Sequence, residues 1–140
     1  MKFKYRITLL ALMVLLVLPF KEIIGQQKDD DQFLVGVENA LQANSAKELT
    51  RFVQNNIEIR LNREKKTYSS KQAEMVLKTF FQENPATDFE FIHDGNNNSG
   101  GIIYAIGNYI SLGGTHRVVI RAKKVGEDFK IYRLEFTKEQ

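Results

Sequence analysis

Apolar residues recur along this chain at spacings that change from one segment to the next. Ile7 to Leu18 is a continuous apolar run broken only by Thr8, and it follows the cations Lys2, Lys4 and Arg6. From Phe33 the spacing becomes helical: Phe33, Leu34, Val37, Ala40 and Leu41 share one face of a 3.6-residue repeat. Asp30 or Asp31 is placed to cap that helix, and Asn44 to stop it in left-handed backbone. Ser45 opens a shorter helix with Ala46, Leu49, Phe52 and Val53 on one face. Strict alternation at Ile57–Leu61 predicts a half-buried strand. Asn62–Lys66 predicts a turn, with a short return strand at Lys66–Tyr68.

Ser69 followed by Gln72 is a capping box. It opens the clearest helix of the chain, with Ala73, Val76, Leu77, Phe80 and Phe81 along one stripe and Asn84–Pro85 as its stop. Phe80 and Phe81 should point about 100° apart, one to the deep end of a sheet and one to the N-terminal helices. Beyond Pro85 four strands are expected: Asp88–Asp94, Ile102–Ser111, Thr115–Lys124 and Phe129–Thr137, joined by glycine turns at Gly95–Gly101, Gly113–Gly114 and Gly126–Asp128. Consecutive strands with short turns form an antiparallel meander. The predicted fold class is therefore α+β, with N-terminal helices packed on a curved antiparallel β-meander.

The opening segment adds an address. A basic head, an apolar core of about a dozen residues and a small residue at Gly25 describe a secretory signal, since a bilayer span needs roughly 20 apolar residues. The expected organisation is a signal at 1–25, a polar linker at 26–31 and a single domain at 32–138. The whole chain carries 20 Lys+Arg and 17 Asp+Glu. Residues 1–25 hold four of those cations (Lys2, Lys4, Arg6, Lys21) and one acid (Glu22), which leaves 16 of each in the remainder. Basicity thus belongs to the export segment, and nucleic acid is not an expected partner. The chain has no cysteine, so disulfides, cysteine-ligated metal and lipidation through an N-terminal cysteine are excluded.

Several strings resemble a bacterial family known as domain of unknown function 4783. They are Ser70–Glu74 leading to Phe80–Phe81, then Asn84–Pro85, His93–Gly95, Tyr104–Gly107, Lys123–Lys124 and the closing strand near Phe136. The resemblance spans about residues 31 to 138. It implies a fold like that of nuclear transport factor 2, the cystatin-like cone shared with scytalone dehydratase and ketosteroid isomerase, in which a sheet wraps around a long helix. No activity attaches to the family.

A cone of this kind encloses a pocket whose chemistry depends on its lining rather than on its fold. The pocket candidates are Phe80, Phe81, Phe89, Phe91, His93, Tyr104, Tyr109 and His116, with no catalytic residue and no metal ligand assigned. Phe89, Phe91 and His93 share one strand phase; Tyr104, Ile106 and Ile110 share another; His116, Val118, Ile120 and Ala122 share a third. A strict turn at Gly113–Gly114 sets the second and third phases on opposite faces, which calls for a bulge or a different phase. Ketosteroid isomerase works through a carboxylate base and an acidic oxyanion hole, whereas no Asp or Glu falls on these phases within a strand. In the meander the two histidines come out roughly 30 Å apart, too far for one metal. His116 with Tyr109, or His93 with Tyr104, remains open as a dyad. Arg117, Arg121 and Lys123 form an outer cationic row that Lys130 or Arg133 extends.

The sequence predicts an exported domain of the Gram-negative envelope, periplasmic or extracellular, acting as a non-enzymatic ligand- or protein-binding module. The alternative is a cryptic enzyme, isomerase- or hydrolase-like, using a pocket histidine with a tyrosine. The expected partners are a small apolar ligand, an envelope protein or a second copy through the open sheet face. No cofactor is expected, and the membrane is met only through the signal.

Overall fold

The computed structural model describes residues 20–96 and 101–140, with side chains at 29–95 and 101–140. Most of the expected signal therefore lies outside the described residues. Helix α1 spans Phe20–Gln42 and α2 spans Ala46–Thr50. Strands β1 (Val53–Leu61) and β2 (Glu64–Ser69) precede helix α3 (Ser70–Glu83). Strands β3 (Ala86–Asn96), β4 (Ile102–Ser111), β5 (Gly114–Val125) and β6 (Asp128–Lys138) complete the chain. Among the described residues no helix is long and apolar enough to cross a membrane.

Helix α1 is already formed at Phe20, well ahead of the start that the apolar spacing suggested. Residues 26–31, expected as a linker, are helical, so neither Asp30 nor Asp31 caps the helix. That segment holds no proline, and its only nearby glycine, Gly25, precedes it. Asp30 falls on the same stripe as Phe33 and Val37 and is buried with them. At the other end Asn44 is left-handed at φ 54°, as its position after the last apolar residue requires. The Ser69 capping box closes both ways, Gln72 N–H donating to Ser69 Oγ and Ser69 N–H to Gln72 Oε1.

All six strands join one curved sheet in the order β2-β1-β6-β5-β4-β3. The meander β3–β6 is antiparallel throughout. The sheet is nonetheless mixed, because β1 pairs in parallel with β6 while β2 hairpins onto its free edge. Asn62 fastens this hairpin: its N–H donates to Phe136 O and its Oδ1 accepts from Lys138 N–H. On the concave side the helices bury one continuous core that includes Val37, Leu41, Leu77, Phe81, Ile120 and Leu134.

The β4–β5 hairpin turns at Leu112–Gly113, so that Ser111 faces Gly114. This one-residue difference inverts the phase expected for β4. Ile103, Ala105, Gly107, Tyr109 and Ser111 point inward, while Tyr104, Ile106 and Ile110 point outward. The inward set now lies opposite Val118, Ile120 and Ala122, and the conflict between the two strands disappears. Strand β3 carries a bulge between Phe91 and His93. It turns His93 onto the outward face opposite Ile106 and moves Asp94 onto the inward phase at the exposed end of the strand.

Candidate functional site

Five expected pocket residues do enter the cone. Phe80, Phe81, Phe89, Tyr109 and His116 are all buried, and Phe91 is half-buried at the margin. They form a filled aromatic stack rather than a lined cavity. The Phe80 ring sits 4.6 Å from Phe136, 5.2 Å from His116 and 5.8 Å from Tyr109, centroid to centroid. Phe81 stacks on Tyr109 at 5.8 Å and meets Phe136 edge-on. Both phenylalanines therefore face the sheet, against the expectation that they would diverge. Phe136 of the closing strand is the centre of the cluster.

Tyr109 is held by a polar clasp. Its hydroxyl donates to Asn44 Oδ1 at 2.9 Å or to Asn84 O at 2.5 Å. Asn44 also grips the start of β3, accepting from Ala86 N–H at 2.7 Å and donating to Ala86 O at 3.2 Å. The ends of α1 and α3 and the first residue of β3 thus meet on one hydroxyl. Burial pushes the Tyr109 phenol up to about 12, against the small opposing effect of the backbone at Ala86. A phenol so placed stays protonated at neutral pH and serves as a hydrogen-bond donor.

His116 lies directly opposite Tyr109 in the ladder, yet the two touch only by ring packing at 6.3 Å. Its Nδ1 is buried without a hydrogen-bond partner among the described residues. Burial, then the Lys138 ammonium in register across the strand, holds the imidazole below its usual range. His116 is therefore a neutral imidazole enclosed by rings. The His116–Tyr109 dyad is absent as a hydrogen-bonded pair.

His93 and Tyr104 leave the candidate set. Both are exposed on the outer side of the sheet, and His93 pairs with Ile106 rather than near Ile102. The histidines are closer than the expected 30 Å, because β3 continues to Asn96 and pairs further along β4. Three residues along the strand and two strand spacings give about 14 Å, with the two side chains on opposite faces. Among the described residues no group of three or more His, Cys, Asp or Glu side chains could hold a metal ion.

The outer face carries a different chemistry. Arg121 lies over the Tyr104 ring at 5.3 Å, and Lys123 over the Tyr132 ring at 5.8 Å. Arg121 stands opposite Arg133, and Lys123 opposite Lys130. Glu58 is half-buried between Arg133 at 2.6 Å and Lys65 at 3.6 Å. Arg60 pairs with Glu135 at 3.7 Å, and Arg117 with Glu139 at 2.7 Å. Arg121 and Lys123 have no carboxylate partner among the described residues. Beside them Ile102, Tyr104 and Val125 remain exposed.

Residues 34–137 match the family model for the domain of unknown function DUF4783. The chain belongs to that family. Solved structures of DUF4783 proteins share its fold. The protein from Bacteroides ovatus is 22% identical with a TM-score of 0.71, over 75% of this chain and 94% of that one. The protein from Bacteroides fragilis is 22% identical with a TM-score of 0.70, over 75% and 97%. A cystatin-like domain of unknown function from Nostoc punctiforme is 12% identical with a TM-score of 0.64, over 83% and 78%. Identities this low establish the fold alone, the cystatin-like or nuclear-transport-factor-2-like cone expected of the family. No curated protein matches the chain.

Proposed function

We propose that this DUF4783 protein is an exported, non-enzymatic binding module of the bacterial envelope, and that it recognises an acidic protein partner through the outer face of its sheet. The observation that carries the reading is the pair of cations, Arg121 and Lys123, each laid over a tyrosine with no carboxylate to neutralise it. Cation–aromatic pairs beside exposed aliphatic residues offer the mixed contacts that interfaces favour. Charge complementarity argues for an acidic partner, because a second copy would bring the same cations face to face. Two further features support binding over catalysis. The cone is filled by rings, and its tyrosine hydroxyl is committed to Asn44 and Asn84. Export rests on the basic head and apolar run of residues 2–18.

A photo-crosslinking residue at Tyr104, introduced in the native envelope, tests the surface. The expected result is an adduct with an acidic protein that is lost in Arg121→Glu and Lys123→Glu but kept in Lys71→Glu on helix α3. An adduct indifferent to charge reversal, or one made only with a second copy, overturns the reading. Fractionation of the same cells tests export, which fails if the protein remains in the cytoplasm.

A further inference from the structure

Strand β1 leaves its parallel partner for several residues near its start. Val53 faces Ile131 and Glu58 faces Arg133, so five steps along β1 correspond to two along β6. Gln54 and Asn55 consequently have no cross-strand partner in either ladder of β1. Beside the detour lies a depression of about 410 Å³, lined by the apolar Val53 and Val125 and by Gln54, Asn55, Asn56, Lys123 and Lys130.

The donors in this depression outnumber its charges of opposite sign. Lys123 and Lys130 are directly opposed across β5 and β6, a like-charge arrangement that costs stability unless something neutralises it. No carboxylate lines the walls. Lys130 is anchored, its Nζ donating to Arg51 O at 2.7 Å. Gln54 contributes a buried Nε2 that has no acceptor among the described residues. Gln54 Nε2 lacks an acceptor, Lys123 has no carboxylate partner among the described residues, and Lys123 and Lys130 are partners in the ladder; a multivalent acceptor carrying negative charge would answer all three.

We infer that this depression binds a phosphate group, held between Lys123 and Lys130 and hydrogen-bonded by the amides of Gln54, Asn55 and Asn56. A phosphate monoester brings about −1.5 to −2 charges at neutral pH and three acceptor oxygens. That charge matches two lysines, and those oxygens match the carboxamide donors. A single carboxylate would leave one cation uncompensated. The group belongs either to a soluble phosphate monoester or to a lipid headgroup that ends in one. The inference shares Lys123 with the surface proposed above, but inorganic phosphate alone would fill the site and Gln54→Leu touches only this one.

Inorganic phosphate titrated into the ¹⁵N-labelled protein, at ionic strength held constant with chloride, tests it by amide chemical shift. The expected result is a saturable shift confined to residues 53–56, 123–125 and 130. Gln54→Leu, which leaves net charge unchanged, should weaken the apparent Kd at least tenfold, and Lys123→Gln should do the same. Vesicles of phosphatidic acid in phosphatidylcholine distinguish the source. Competition between vesicles and phosphate assigns the site to a lipid headgroup, and saturation by phosphate without vesicle binding assigns it to a soluble ester. Shifts that never saturate, that chloride reproduces, that map elsewhere, or that survive both substitutions unchanged would overturn the assignment.

Discussion

Replacing Asn44 probes a polar junction on which two helices and a strand meet. In Asn44→Ala the Ala86 N–H and C=O each lose a partly buried partner at 2.7 and 3.2 Å. Each such hydrogen bond contributes about 0.5–1.5 kcal/mol net. Tyr109 also loses an acceptor, but Asn84 O remains within reach of its hydroxyl, so little is added there. Alanine must further adopt φ 54°, a left-handed conformation that costs an ordinary residue about 1–2 kcal/mol. The expected loss is about 2–5 kcal/mol. Asn44→Gly removes the same hydrogen bonds without the backbone penalty, and should be the more stable variant by about 1 kcal/mol. Urea unfolding followed by both far-UV circular dichroism and tyrosine fluorescence measures the two midpoints. An alanine variant within about 0.5 kcal/mol of the parent, far below the sum of its parts, would refute the clasp. Equal stability of the two variants would refute the backbone contribution.

Phe80→Ala should cost about 3–5 kcal/mol, as buried aromatic truncations do, since its ring is enclosed by Phe81, Tyr109, His116 and Phe136; a loss under about 1 kcal/mol in chemical denaturation would mean that α3 is misplaced. Gly107→Ala should destabilise by about 1–3 kcal/mol, because an added Cβ would strike the Phe89 ring and come within 2.8 Å of the Glu90 carbonyl; an unchanged melting temperature would contradict that close approach. Burial and Lys138 depress His116, so the unfolded chain accepts a proton near pH 6.5 that the folded protein resists. Its contribution is complete above that pH and is lost as pH falls below it, by at most about 1.4 kcal/mol per pH unit. His116→Leu should flatten the stability profile just below pH 6.5 relative to the parent, and parallel profiles would show that the imidazole is not shielded.

The elements legible in the sequence were those defined by residues close together along the chain. Ser69 and Gln72 are three residues apart, and their reciprocal bonds need nothing from elsewhere in the protein. The same holds for the left-handed Asn44 and for the helical stripe from Phe33 to Leu41. Where local signals were balanced, they misled. The polar run at 26–31 resembled a linker, yet Asp30 shares the buried stripe of α1. Two adjacent glycines marked a hairpin, but the turn uses Leu112–Gly113, and because side chains alternate along a strand one residue was enough to move Tyr104 from the pocket to the surface. A single bulge did the same to His93.

By itself the sequence determined the order of helices and strands, the absence of disulfide chemistry and the aromatic character of the core, because each follows from local periodicity or composition. Only the tertiary structure decided that β1 joins β6 in parallel, that the cone is filled by Phe80, Phe81, Tyr109 and Phe136, and that Lys123 stands opposite Lys130 beside an unpaired Gln54. Those are pairings between residues far apart in the chain. They depend on register, and register is set by bulges, turn lengths and the packing of the whole sheet rather than by any run of neighbouring residues.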